Sequence, residues 1–192
     1  MNYLAHIFLS GNDNELMIGN FIADHIKPQE RSKFSPQINA GIKLHYAIDT
    51  FTDNHNVVLK SKERLRPHLH KYAPVVVDVI YDHFLAKYWH LYHHQDLLEY
   101  TIKFYNMLHA HRELLPDKTK YILNYMEPRN WLYNYQHLHE LEKIFGGMGR
   151  RANFDNNMAL TVKHLENDYD LFDEEFKFFF AQLYNFCHGY KK

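Results

Sequence analysis

His45, Asp49 and Asp53 recur at every fourth position within the stretch Leu44 to Asp53, LHYAIDTFTD. On an α-helix of 3.6 residues per turn the three fall within an arc of about 80°. Leu44, Ala47, Ile48 and Phe51 occupy the adjoining arc and commit it to a core. An imidazole and two carboxylates beside such an arc are either the solvated face of an amphipathic helix or ligands aimed at a common point. Asp78 and Asp82 repeat the four-residue spacing and are followed by His83. Val75, Val76, Val77, Val79, Ile80, Phe84 and Leu85 surround this second pair, so a solvated strip does not account for it. Two carboxylates held together in apolar surroundings repel unless a cation or a proton compensates. The competing account is a helix N-terminal carboxylate for Asp78 and a buried salt bridge for Asp82. Asp24 poses the same question. It shares a face with Asn20 on a helix otherwise ringed by Leu16, Met17, Ile18, Phe21, Ile22 and Ile26, and a buried aspartate needs a donor, a cation or a metal beside it.

With His6, these residues form a candidate polar core of His6, Asp24, His45, Asp49, Asp53, Asp78, Asp82 and His83. Imidazole and carboxylate without thiolate favour Mn²⁺, Mg²⁺ or Fe over a structural zinc site. Helical bundles build such sites in their interior from side chains on facing helices. A metal held this way activates water and polarises a phosphoryl oxygen, which makes phosphate-ester hydrolysis a reasonable reaction class. No Ser, His and Asp order supports acyl transfer, and Cys187 carries no motif of a catalytic thiol. Many of the sixteen histidines sit one or two residues apart, as at His68 and His70 or His93 and His94. Such neighbours do not share a helix face and read as surface residues.

A helical framework is expected to hold these groups. Glycine and proline are scarce, at 7 and 6, which disfavours a turn-rich β-fold and predicts an all-α, single-domain helical bundle. Asn2 to Leu9 forms a short helix, and a second runs from Glu15 to Ile26, ending before Pro28. Ser35-Pro36 opens the helix that carries Leu44 to Asp53. Asp53 to Asn56 breaks the chain, and Val57 to Leu69 resumes with a basic outer face of Lys60, Lys62, Arg64 and Arg66. The most apolar helix spans Val75 to about Tyr92, followed by helices at Asp96 to His111 and Lys118 to Met126. Gly146-Gly147-Met148-Gly149 reads as a flexible turn presenting Arg150 and Arg151 to phosphate or carboxylate, or as a C-cap with solvated arginines. Two helices, Asn153 to Asn167 and Asp170 to His188, close the chain, with Phe176, Phe178, Phe179 and Phe180 as core packing.

A length of 192 residues suits one domain. The net charge of −1 offers no global attraction to nucleic acid or an anionic membrane. The lone Cys187 suits a reducing compartment. The N-terminus lacks a basic region and has His6 inside its apolar run, so it is not expected to be a signal peptide. No apolar run approaches the roughly 20 residues that cross a bilayer. A cytoplasmic setting is expected.

Five segments, in order, carry a resemblance over nearly the whole chain. They are Asn2-Tyr3-Leu4-Ala5-His6; Gly19 to Asp24; Gly41 to Asp49 with Thr52-Asp53; Asp78 to Phe84; and Gly147-Met148 with Arg150-Arg151. Together they are similar to the acyl carrier protein phosphodiesterase family. The resemblance implies a helical fold distantly related to HD-type phosphohydrolases, distorted because no adjacent His-Asp dyad occurs in this sequence. It implies hydrolysis of 4′-phosphopantetheine from holo acyl carrier protein with Mn²⁺ or Mg²⁺. Asp24 becomes the leading catalytic or metal-binding residue, with His45, Asp49, Asp78, Asp82 and His83 around it and His6, Asn20 and Asp53 ranked below. Tyr46 stands where the family often has arginine. The acidic carrier would dock on Lys60, Lys62, Arg64 and Arg66, or on Arg150 and Arg151. Two other functions stay open: a phosphohydrolase of small nucleotides, and a non-catalytic helical module that binds a carrier.

Overall fold

The chain begins with two short helices whose starts are set by side-chain caps. In a computed structural model, which describes residues 1–151 and 157–190 without the side chain of Arg151, Asn2 precedes α1 (Tyr3–Leu9). Asp13 accepts from the Leu16 amide at 2.9 Å to start α2 (Asn14–Ile22). Ser35 does the same for α3 (Pro36–Asn54), accepting from the Ile38 amide at 3.1 Å, with proline at the first helical position as expected. His55 separates α3 from α4 (Asn56–Leu69), and α5 (Ala73–Lys87) follows a single 3₁₀ turn. The remaining helices are α6 (Trp89–Tyr92), α7 (Leu97–Ala110), α8 (Asp117–Met126), α9 (Trp131–Asn134), α10 (Leu138–Arg151), α11 (Thr161–Asn167) and α12 (Tyr169–Tyr190). No strand occurs among the described residues, so the fold is all-α.

Helix α5 is buried on most of its circumference, from Val76 and Val77 to Leu85 and Ala86. It packs against α1, α4 and α12, and Phe172, Phe176, Phe179, Phe180 and Leu183 of α12 close over the core. Phe178, expected in that aromatic cluster, is exposed instead, because it lies on the opposite face of α12 from Phe176 and Phe180.

The closest helix pair is α2 with α3. Gly19 lies against the Ile38 carbonyl and Gly41 against the Leu16 carbonyl, and a Cβ on either glycine would collide with that backbone. The two glycines thus allow main-chain contact between the helices. That contact places Asn20 directly beside His45.

Three expectations are corrected here. Helix α2 stops at Ile22, and Asp24 rides on a 3₁₀ turn, Ala23–His25, rather than on the helix proper. The apolar segment from Val75 does not run unbroken to Tyr92, since Tyr88 interrupts it. The glycines at 146, 147 and 149 form no turn, because they continue α10 to Arg151. Tertiary packing of Leu141 and Phe145 on the same helix outweighs the weak helix propensity of glycine there.

Candidate metal centre

Two helices, α1 and α3, bring together a small cluster of His6, His45 and Asp49, whose donor atoms all lie within 4.8 Å of one another. His6 comes from α1 and the other two from α3, one turn apart. The Asp49 carboxylate spans the two imidazoles: Oδ1 is 3.2 Å from His6 Nε2 and Oδ2 is 3.1 Å from His45 Nε2. The rings stack with centroids 4.2 Å apart. Asp24 joins from the 3₁₀ turn, its Oδ1 3.2 Å from His45 Nε2.

Asn20 of α2 orients both rings. Its Oδ1 accepts from His6 Nδ1 at 2.8 Å, and His45 Nδ1 donates to the Asn20 carbonyl at 2.9 Å. The amide can face only one way, because its Nδ2 donates to the His6 carbonyl at 2.9 Å and to Ser10 Oγ at 3.0 Å. Both Nδ1 atoms therefore carry hydrogens, and both Nε2 atoms point at the carboxylates. This is the outer-shell arrangement that fixes the tautomer of a metal-binding histidine.

The charges differ between the two rings. Burial opposes protonation of His45, but its contacts to Asp24 and Asp49 outweigh burial and raise its pKa to about 9. Burial, aided by the neighbouring His45, pushes His6 down. Burial acts against ionisation of Asp49 as well, yet His45 and His6 hold its carboxyl far below the usual range. In this state neutral His6 aims an Nε2 lone pair at an ionised carboxylate oxygen 3.2 Å away. Two lone pairs facing each other with no proton between them suit a cation. The spacings also fit: ligands about 2.1 Å from an octahedral ion lie roughly 3 Å apart along an edge. Donors of this type and spacing could hold a divalent cation.

The other sequence candidates lie elsewhere. Asp78 Oδ1 is 2.9 Å from the Met1 ammonium nitrogen. Asp82 accepts from the backbone amides of Asn2, Leu4 and Ala5 at 3.2, 2.7 and 3.3 Å, so it caps the N-terminus of α1. The compensation that half-buried Asp78 and buried Asp82 find is thus an ammonium and a helix N-terminus. Burial nonetheless raises the Asp82 pKa to about 7, against the opposing pull of the ammonium and the three amides. His83 spends Nδ1 on the Tyr135 carbonyl at 2.8 Å and Nε2 on the Tyr169 hydroxyl at 2.7 Å, and burial lowers its pKa to about 4. Asp53 pairs with the buried Lys62 at 2.6 Å. Asp24 is not buried as expected: its side chain is 66% exposed, because the 3₁₀ turn lifts it to the surface.

The basic face of α4 is also smaller than expected. Lys62 is buried, and both terminal nitrogens of Arg64 pair with the two Glu175 oxygens at 2.7 Å. Lys60 and Arg66 remain exposed, as does Arg150. The side chain of Arg151 lies outside the described residues. His6 and Asn20, ranked low from the sequence, are central. The available signal was a histidine and an asparagine inside apolar helical runs, where an unpaired polar group is costly.

The family model for acyl carrier protein phosphodiesterases matches residues 1–183. Named relatives agree over the same span. The acyl carrier protein phosphodiesterase of Serratia proteamaculans is 28% identical over 184 residues, covering 95% of each chain. That of Klebsiella pneumoniae (strain 342) is 27% identical over 186 residues, again covering 95% of each. The Escherichia coli O6:H1 protein of that name is 28% identical over 187 residues, also 95% of each. No solved structure matches the chain. A match this long takes in every residue of the centre, from His6 on α1 to Asp49 on α3, and on that basis the chain belongs to the acyl carrier protein phosphodiesterase family.

Proposed function

We propose that this protein hydrolyses the phosphodiester of holo acyl carrier protein, releasing 4′-phosphopantetheine and apo carrier protein. The observation that carries the reading is the meeting of His6, His45 and Asp49 in a chain that matches phosphodiesterases along its length. His6 Nε2, His45 Nε2 and an Asp49 oxygen would hold the metal, and two imidazoles in the set favour Mn²⁺ over Mg²⁺. A bound divalent ion supplies Lewis-acid polarisation of the phosphoryl group and eases deprotonation of water.

The protein groups do the rest. Asn20 keeps both Nε2 atoms available by occupying both Nδ1 hydrogens. Asp24, open to solvent beside His45, takes the proton from the attacking water at Oδ1. The water oxygen bonds to phosphorus, the bond from phosphorus to the carrier serine oxygen breaks, and the proton that Asp24 took from the water passes to the serine oxygen and restores its hydroxyl. The exposed Arg150 and Arg129 border a cavity of about 450 Å³ lined also by Trp131 and Tyr125; Lys143 there is paired with Glu140, so the two arginines are the groups that suit an acidic carrier. No helix among the described residues is long and apolar enough to cross a membrane, and the sole cysteine, Cys187, is buried. Both features suit work in the cytoplasm.

The test is direct. Holo carrier incubated with the protein and Mn²⁺ loses the mass of phosphopantetheine, and chelator prevents the loss. Asp24→Asn retains Mn²⁺ binding and slows turnover by about 100-fold or more. Intact holo carrier after incubation with Mn²⁺-loaded protein would exclude the reading.

A further inference from the structure

Arg31 is a cation without a counter-charge among the described residues, held one aromatic ring from the centre. It belongs to the 3₁₀ segment Pro28–Lys33 that links α2 to α3. Asn39 of α3 fixes its main chain, donating to the Arg31 carbonyl at 2.9 Å. Seven residues on, on the same face of α3, the ring of Tyr46 supports its guanidinium, with Cζ 5.1 Å from the ring centroid. Tyr46 in turn meets His45 edge to face at 5.6 Å, and its hydroxyl donates to the Ala23 carbonyl at 3.4 Å, next to Asp24. Arg31 is thus anchored at both ends to the helix that bears His45 and Asp49. It stands one aromatic ring away from the cluster.

Its hydrogen-bonding capacity is unused. Nε is buried with no hydrogen-bond partner, and no carboxylate among the described residues pairs with the guanidinium. Arg64 shows the contrast, since Glu175 satisfies it with two parallel bonds. A guanidinium fixed flat, partly desolvated and unpaired is arranged to receive a planar pair of anionic oxygens.

We propose that Arg31 binds the two non-bridging oxygens of the substrate phosphoryl group. It thereby orients the phosphorus toward the His6, His45 and Asp49 cluster and stabilises charge on those oxygens. The inference rests on the phosphodiesterase reading for the identity of the substrate, but the anion site itself can be tested without turnover.

The experiment uses the full chain loaded with Mn²⁺, as wild type, Arg31→Ala and Arg31→Lys. Three quantities are measured: affinity for inorganic phosphate, and kcat and KM for holo carrier and for the small diester bis(p-nitrophenyl) phosphate. Mn²⁺ affinity, expected to be equal in all three proteins, establishes that the centre is folded. Arg31→Ala is expected to weaken phosphate binding by about tenfold and to lower kcat/KM for both diesters by about 100-fold. Arg31→Lys, a point charge without the planar fork, recovers part of each. Phosphate affinity that is undetectable in the wild type or unchanged in Arg31→Ala would overturn the proposal. So would a loss confined to the carrier, which would put Arg31 on the carrier surface. If the wild type turns over neither diester, the phosphodiesterase reading fails, and the phosphate titration still decides whether Arg31 binds an anion.

Discussion

Both imidazoles of the centre depend on a neutral residue, Asn20, whose carboxamide and carbonyl take their Nδ1 hydrogens. Asn20→Ala should lower Mn²⁺ affinity by about 10- to 100-fold, measured by titration calorimetry. It should also cost about 1–3 kcal/mol of stability in urea melts, because buried donors are left unpaired. The pH dependence of the centre follows from His45, which is raised to about 9 when no metal is bound. Its folded pKa exceeds its unfolded value, so its contribution to stability is full below about 6.5 and is lost as pH rises through about 9. Chelator-treated protein should therefore lose stability over that window. Mn²⁺ must displace the Nε2 proton, so its affinity should climb up to about tenfold per pH unit from 7 toward 9, with proton release on binding. Affinity independent of pH across that range would count against His45 as a ligand.

Among the helices, the contact of α2 with α3 through Gly19 and Gly41 brings Asn20 against the centre. Gly19→Ala should force the helices apart and destabilise the fold by about 1–3 kcal/mol. It should also weaken Mn²⁺ binding, because Asn20 follows Gly19 directly on α2 while His45 lies on α3. Asp82 provides the opposite case. Asp82→Ala removes a carboxylate that caps three amides of α1 and should cost about 2–4 kcal/mol in urea melts. Its folded fraction should nonetheless bind Mn²⁺ as the wild type does. The two variants separate a residue that positions the site from one that only holds the helix bearing His6.

For the whole molecule, a net charge of −1 leaves recognition of an acidic partner to local patches. The exposed Arg150, on the rim of the cavity that Arg129 also lines, is the patch proposed for the carrier. Arg150→Glu should raise KM for holo carrier by about tenfold at low salt, with the difference shrinking as ionic strength rises, and should leave turnover of a small diester unchanged. Arg64→Glu should act instead on stability, since Arg64 is already bound to Glu175.

The helical class and most helix boundaries are legible in the sequence, because capping residues and 3.6-residue periodicity act over a few neighbours. His45 and Asp49 are legible for the same reason, being one turn apart on a single helix. Spacing is silent on what lies across an interface. Asp78 and Asp82 show the same four-residue pattern as His45 and Asp49, yet the Met1 ammonium and the first amides of α1 neutralise them. His6 and Asn20 looked peripheral from local sequence, and only the glycine contact between α2 and α3, with α1 laid beside them, makes them central. A buried carboxylate announces in the sequence that it needs positive charge near it. Whether that charge is an ion, an ammonium or a helix N-terminus depends on groups remote in the chain, and folding alone brings those together.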